Sequence, residues 1–133
     1  SNKKSYSYSS LKMEPLPFFN ELKSIKNDIE KFTETNFTSC LANLYRDGND
    51  SNGWHADDEK ELGKNPIIAS LSFGQPRFFN FRNKKNHQFK KKILLEPGSL
   101  LLMQGETQHY WQHEIPKTKK VLDERINLTF RIL

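Results

Sequence analysis

Between positions 17 and 32 the apolar residues Phe18, Phe19, Leu22, Ile25, Ile29 and Phe32 recur at spacings of three and four. That period puts them on one face of a helix, and Pro17 stands where a first helical turn accepts proline. The spacing predicts an amphipathic helix lying against a sheet. After Thr33 the period changes. Residues 37–45, 67–73, 77–82, 87–95, 99–103, 109–115 and 125–133 each read as a strand. Between them, residues 47–53 are dense in Asp, Asn, Gly and Ser, and Pro97-Gly98 punctuates a second turn. Many short strands with turn signals and one early helix predict a mainly β sandwich or barrel with a flanking helix. No internal repeat and no boundary interrupts the chain, so residues 1–133 read as one domain.

The last strand, Arg125-Ile126-Asn127-Leu128-Thr129-Phe130-Arg131, alternates cleanly. Ile126, Leu128 and Phe130 point one way; Arg125, Asn127, Thr129 and Arg131 point the other. The polar face has two readings. It is either a solvated outer surface or an interior that holds a dianion, since arginine grips a carboxylate through two parallel charge-assisted hydrogen bonds.

A second constellation is Gly53-Trp54-His55-Ala56-Asp57-Asp58-Glu59. On an extended chain residues i and i+2 share a side, so His55 and Asp57 can reach one ion. A third ligand must come from elsewhere among the remaining histidines, His87, His109 and His113. His87 lies in a cationic stretch. His113, on a strand after Tyr110, Trp111 and Gln112, is the better candidate, with His109 next. Two histidines and one carboxylate form the facial triad of non-haem Fe(II) oxygenases. An HxD pair alone is common, and it gains weight only beside the rest of such a site.

Composition narrows the classes. Hydrophobic residues make up 35% of the chain and charged residues 28%, yet 10 Phe, 4 Tyr and 2 Trp are too many for a disordered segment. No apolar run is long enough to span a membrane, so no membrane role is expected. One cysteine, Cys40, excludes an internal disulfide and fits an intracellular setting, cytoplasmic or, in a eukaryote, nuclear. The net charge is +5 and the pI about 9.3. That surplus suits an anionic partner. The run from Arg82 to Lys92 holds Lys84, Lys85, Lys90, Lys91 and Lys92 and no acid. It reads as a phosphate-contacting loop or as a solubilising hairpin tip. Lys117, Lys119 and Lys120 carry the same ambiguity. Ser1 in place of Met reads as the scar of an expression tag, with natural chain expected before it.

Together these strings resemble the AlkB family of Fe(II)- and 2-oxoglutarate-dependent dioxygenases. The matching segments are residues 43–48, 53–59, 66–74 and 98–103, then Trp111-Gln112-His113 and the 125–131 strand. The wording resembles the branch of animal enzymes that repair methylated DNA and RNA. The resemblance implies a double-stranded β-helix, a jelly roll with the helix at its flank. It implies Fe(II) held by His55, Asp57 and His113. It implies 2-oxoglutarate held by Arg125 and Arg131, with Asn43, Tyr45 and Asn127 adding hydrogen bonds. The implied activity is oxidative demethylation of bases of the 1-methyladenine and 3-methylcytosine type in DNA or RNA. It would consume O2 and release succinate, CO2 and formaldehyde from a monomer. Tyr6 and Tyr8 would stack on a flipped base, and Asp58 or Glu59 would face its positive charge. Relatives carry more chain before Tyr-x-Tyr, so residues 1–10 are expected to be the remnant of a nucleotide-recognition lid. Two rivals stay open: an oxygenase of the same core acting on a protein or small molecule, and a non-catalytic nucleic-acid-binding module.

Overall fold

A computed structural model describes residues 6–8, 11–13 and 20–133, with side chains from residue 20 onward. Two short strands, β1 (Tyr6–Tyr8) and β2 (Leu11–Met13), pair antiparallel through their backbones. Helix α1 (Asn20–Thr33) follows, and Glu34, at a left-handed φ of 53°, ends it. The remaining strands form two antiparallel sheets of four. The major sheet has the order β3 (Ser39–Tyr45), β10 (Arg125–Arg131), β5 (Ile68–Gly74), β8 (Leu100–Met103). The minor sheet runs β4 (Asn52–His55), β9 (Trp111–Ile115), β6 (Arg77–Asn83), β7 (Lys90–Leu95). A single helical turn, α2 (Thr107–Tyr110), leads into β9. Consecutive strands alternate between the sheets at β3–β4 and again at β8–β9, which gives the double-stranded jelly roll.

Two apolar clusters hold these layers. Outside the major sheet, Leu22 and Ile29 of α1 meet Phe37, Cys40, Ala69 and Phe130. Between the sheets, Tyr45, Ile68, Phe79, Leu95, Met103 and Ile115 form the second cluster. Each large side chain so buried contributes about 1.5–3 kcal/mol. The pleat explains both clusters. In β10, Phe130 points to α1, while Arg125, Asn127, Thr129 and Arg131 point between the sheets. The polar face is the more buried one: all four of these residues are buried, while Ile126 on the apolar face is 45% exposed.

The predicted helix is present from residue 20; Phe18 and Phe19 lie outside the described residues. Phe32, which its spacing put on the apolar stripe, is 78% exposed in the last turn of the helix. The predicted strand at 87–95 begins only at Lys90, since residues 86–89 turn, with the Phe89 N–H donating to the Asn86 carbonyl. The predicted strand at 109–115 starts with the α2 turn. β4 falls partly in the stretch read as a turn. No helix among the described residues is long and apolar enough to cross a membrane.

Candidate active site

Strand β4 ends at His55, which lies opposite His113 of β9 in the ladder. Asp57 stands two residues beyond the strand, so the loop rather than the pleat brings it round. Ligand atoms of His55, Asp57 and His113 all lie within 4.8 Å of one another. His55 Nε2 is 3.7 Å from Asp57 Oδ1, and His113 Nε2 is 4.0 Å from Oδ2. The His55 Nδ1 atom lies 2.7 Å from the Gly53 carbonyl oxygen. A hydrogen bond donated there fixes the tautomer and turns the Nε2 lone pair toward the other two ligands. His113 is buried against Phe79, with ring centroids 5.0 Å apart and planes 19° apart. Burial pushes its pKa down to about 3, so the ring is neutral and able to ligate. Asp57 is buried too. Desolvation by itself would raise its carboxyl, yet the neighbouring Arg131 guanidinium holds it below the usual range. Arg131 Nη2 donates to Asp57 Oδ2 at 3.1 Å.

The major sheet supplies the opposite wall. Asn43, Tyr45, Arg125, Asn127 and Arg131 line the same cleft as the three ligands. Arg125 is 2% exposed. Its Nη2 donates to Ser72 Oγ at 2.9 Å, and its guanidinium carbon sits 4.9 Å from the Tyr45 ring centroid. Its Nε and Nη1 have no hydrogen-bond partner among the described residues. A buried guanidinium with unanswered donors is costly by itself and suits a carboxylate, which would accept two of them. Asn127 is already engaged: Nδ2 donates to Ser70 Oγ at 2.7 Å and to the Leu71 carbonyl at 3.1 Å, while Oδ1 accepts from Thr129 at 2.7 Å. The donor set therefore fits the two groups the resemblance implies. Two imidazoles and a carboxylate suit Fe(II), and the arginine side suits a dicarboxylate.

The expected substrate residues are not alike. Asp58 faces outward and pairs with Lys84 at 3.3 Å. Glu59 is half-buried, with Oε2 unpartnered among the described residues. Burial, with Asp57 adding to it, pushes its carboxyl up. The backbones of Tyr6 and Tyr8 lie in β1, and their side chains lie outside the described residues. His87 is exposed in the β6–β7 turn. His109 packs on Tyr110 in α2 and is not among the three grouped ligands. Ser70, Ser72 and Phe79 also serve the site and went unread. The alternation of Ile68, Ser70 and Ser72 on one face of β5 carried that signal for the two serines. Gln108, buried behind the ligand loop, gave none.

A mainly β double sheet with a His-Asp-His cluster facing an arginine wall defines a non-haem iron oxygenase core. The family model described as the 2OG-Fe(II) oxygenase superfamily matches residues 1–131, and the chain belongs to that family, whose cofactor is Fe(II) and whose cosubstrate is 2-oxoglutarate. The chain is 47% identical over 135 residues to the human protein named alpha-ketoglutarate-dependent dioxygenase alkB homolog 3, covering 95% of this chain and 47% of that one. It is 40% identical over 133 residues to human DNA oxidative demethylase ALKBH2, covering 95% of this chain and 51% of that one. It therefore spans about half the length of these curated relatives. The solved structure of OsALKBH1 superposes with a TM-score of 0.71 at 20% identity, over 100% of this chain and 86% of the other, and shares the fold.

Proposed function

We propose that the chain carries the catalytic core of an oxidative demethylase acting on N-alkylated bases in nucleic acid. The observation behind this reading is the cleft itself. Three metal-ligand atoms approach from the minor sheet and its loop, and an under-satisfied arginine approaches from the major sheet. His55, Asp57 and His113 would hold Fe(II). Arg125 would take one carboxylate of 2-oxoglutarate, with Tyr45 and Asn43 beside it. Arg131 already bridges to Asp57 and would steady the ligand carboxylate and the other end of the cosubstrate together. With O2 as the oxidant and 2-oxoglutarate as the two-electron co-reductant that leaves as succinate and CO2, iron held there would supply the chemistry that hydroxylates an N-methyl group, and the hydroxymethyl adduct would release formaldehyde. The protein's share is to fix the ligands, exclude water and orient the methyl carbon.

Nucleic acid is favoured as the substrate by two features: the name of the ALKBH2 relative, a DNA oxidative demethylase, and the exposed cations of the β6–β7 hairpin. Glu59, rather than the Lys84-paired Asp58, is the acid suited to a cationic base. Tyr6 and Tyr8 remain the proposed stacking residues. The buried single thiol accords with an intracellular setting, and a monomer is the proposed state. The deciding experiment incubates the protein with oligonucleotides bearing 1-methyladenine or 3-methylcytosine and measures formaldehyde and succinate. Formaldehyde in step with succinate supports the reading. Succinate released without any formaldehyde from either lesion would favour an oxygenase acting on a protein or small molecule.

A further inference from the structure

Asp57 leaves the sheet. The β4–β9 ladder pairs Asn52 with Ile115 and His55 with His113, with an irregularity between, and stops there. The backbone N–H of Asp57 thus has no strand to bond to, although the residue is 1% exposed. Its acceptor comes from far along the chain. Gln108 Oε1 takes that N–H at 2.8 Å, across 51 residues of sequence. Gln108 is itself 2% exposed, and among the described residues its amide nitrogen finds only the sulfur of Met103, at 3.5 Å. Sulfur is a weak acceptor, so the strong bond of this buried amide is the one to Asp57.

The position of Gln108 matters as much as its bond. It lies in α2, the turn that runs directly into β9, and β9 carries His113. One amide therefore ties the loop bearing the carboxylate ligand to the strand bearing a histidine ligand. The tie works against a competitor: Arg131 draws Asp57 Oδ2 to 3.1 Å while Oδ1 faces His55. With the backbone anchored, the carboxylate can swing between arginine and ion only about its own side-chain torsions. Without the anchor, the loop could follow the arginine and take the carboxylate out of reach of the two imidazoles.

We infer that Gln108 is a positioning residue of the metal site, setting the direction from which Asp57 meets the ion. The inference rests on the proposed His55–Asp57–His113 site. Partners behind metal ligands typically alter metal affinity by about 10–100-fold. The test uses Co(II) alone, titrated into this chain without cosubstrate and followed by the ion's visible absorption, with circular dichroism as the check on folding. Gln108→Met keeps the length and bulk but offers no strong acceptor. It is expected to stay folded, bind Co(II) about 10–100-fold more weakly and show an altered ligand-field band. Gln108→Asn withdraws the acceptor by one methylene while keeping the amide, and is expected to weaken Co(II) in the same way if the Met variant does not fold. A folded variant of either kind with the parent's affinity and spectrum would overturn the role, reducing Gln108 to a structural contact. A parent chain that binds no Co(II) would instead overturn the triad reading, and the inference with it.

Discussion

Arg125 shows how a single residue can be wrong for stability and right for binding. Two of its buried donors find no hydrogen-bond partner among the described residues, and burial pulls its pKa down. A buried charged group with unmet donors destabilises the fold by itself, so an apolar side chain of similar bulk in its place removes that cost. Arg125→Met is therefore expected to leave the ligand-free unfolding midpoint unchanged or raised, in denaturant titrations. The same variant should lose 2-oxoglutarate affinity, because removing one partner of a desolvated charge pair costs about 2–5 kcal/mol, roughly 30-fold or more. Calorimetric titration reads the second effect. A variant that binds 2-oxoglutarate as the parent does would remove the dianion role of this face. The direction of this side chain could be narrowed in the sequence to two readings, inside or outside, because alternation fixes which residues share a face but not which face is covered. Here α1 covers the apolar side only in part, and the polar side is the interior.

Among the elements, the β6–β7 hairpin has the most to gain from a partner. Asn83 organises its turn by accepting the N–H groups of Lys85 and Asn86 at 3.0 and 3.1 Å. The backbone N–H of Lys84 donates to the Tyr110 carbonyl at 2.8 Å, which ties the hairpin to α2. Its cations are not equivalent. Lys84 reaches Asp58, and Lys92 lies 3.9 Å from the Phe78 ring centroid. Lys85, Lys90 and Lys91 are exposed. Neutralising these three is expected to flatten the dependence of log K on log salt for any oligonucleotide by up to about 0.7–0.9 per lost phosphate contact. Binding of Co(II) should not change. Fluorescence anisotropy across a salt series reads the slope, and an unchanged slope would make the hairpin surface charge only. The strand pattern was legible wherever a face alternates, as in β3, β5 and β10. It failed at β4, where Asn52-Gly53-Trp54-His55 carries turn-forming residues, and at α2, whose single turn lacks the length for a period. The HxD spacing picked out a pair that the structure does bring together, but for an incomplete reason: the strand stops at His55, and a loop delivers Asp57.

At the scale of the whole molecule, the proposed metal ligands come from the minor sheet and its loop and the cosubstrate residues from the major sheet, so binding iron and cosubstrate together should hold the two layers together. Cys40 gives a way to see this, being the one thiol of the chain. It is fully buried where α1 meets the major sheet, and desolvation pushes its pKa up to about 12. A thiol in that state is inert, since the thiolate is the nucleophile. Labelling by an aromatic disulfide at pH 8 therefore requires the chain to open. A ligand that binds only the folded state lowers the open population by the factor 1 + [L]/Kd, about 100-fold at a hundred times Kd. Where opening and closing are faster than labelling, the rate follows that population. Co(II) and 2-oxoglutarate together are thus expected to slow Cys40 labelling by that factor, and a chelator to restore it. His113→Ala should label at a rate that Co(II) no longer changes. A parent labelling rate indifferent to both ligands would mean that α1 lifts from Phe130 and Cys40 by itself while the two sheets stay closed around the site.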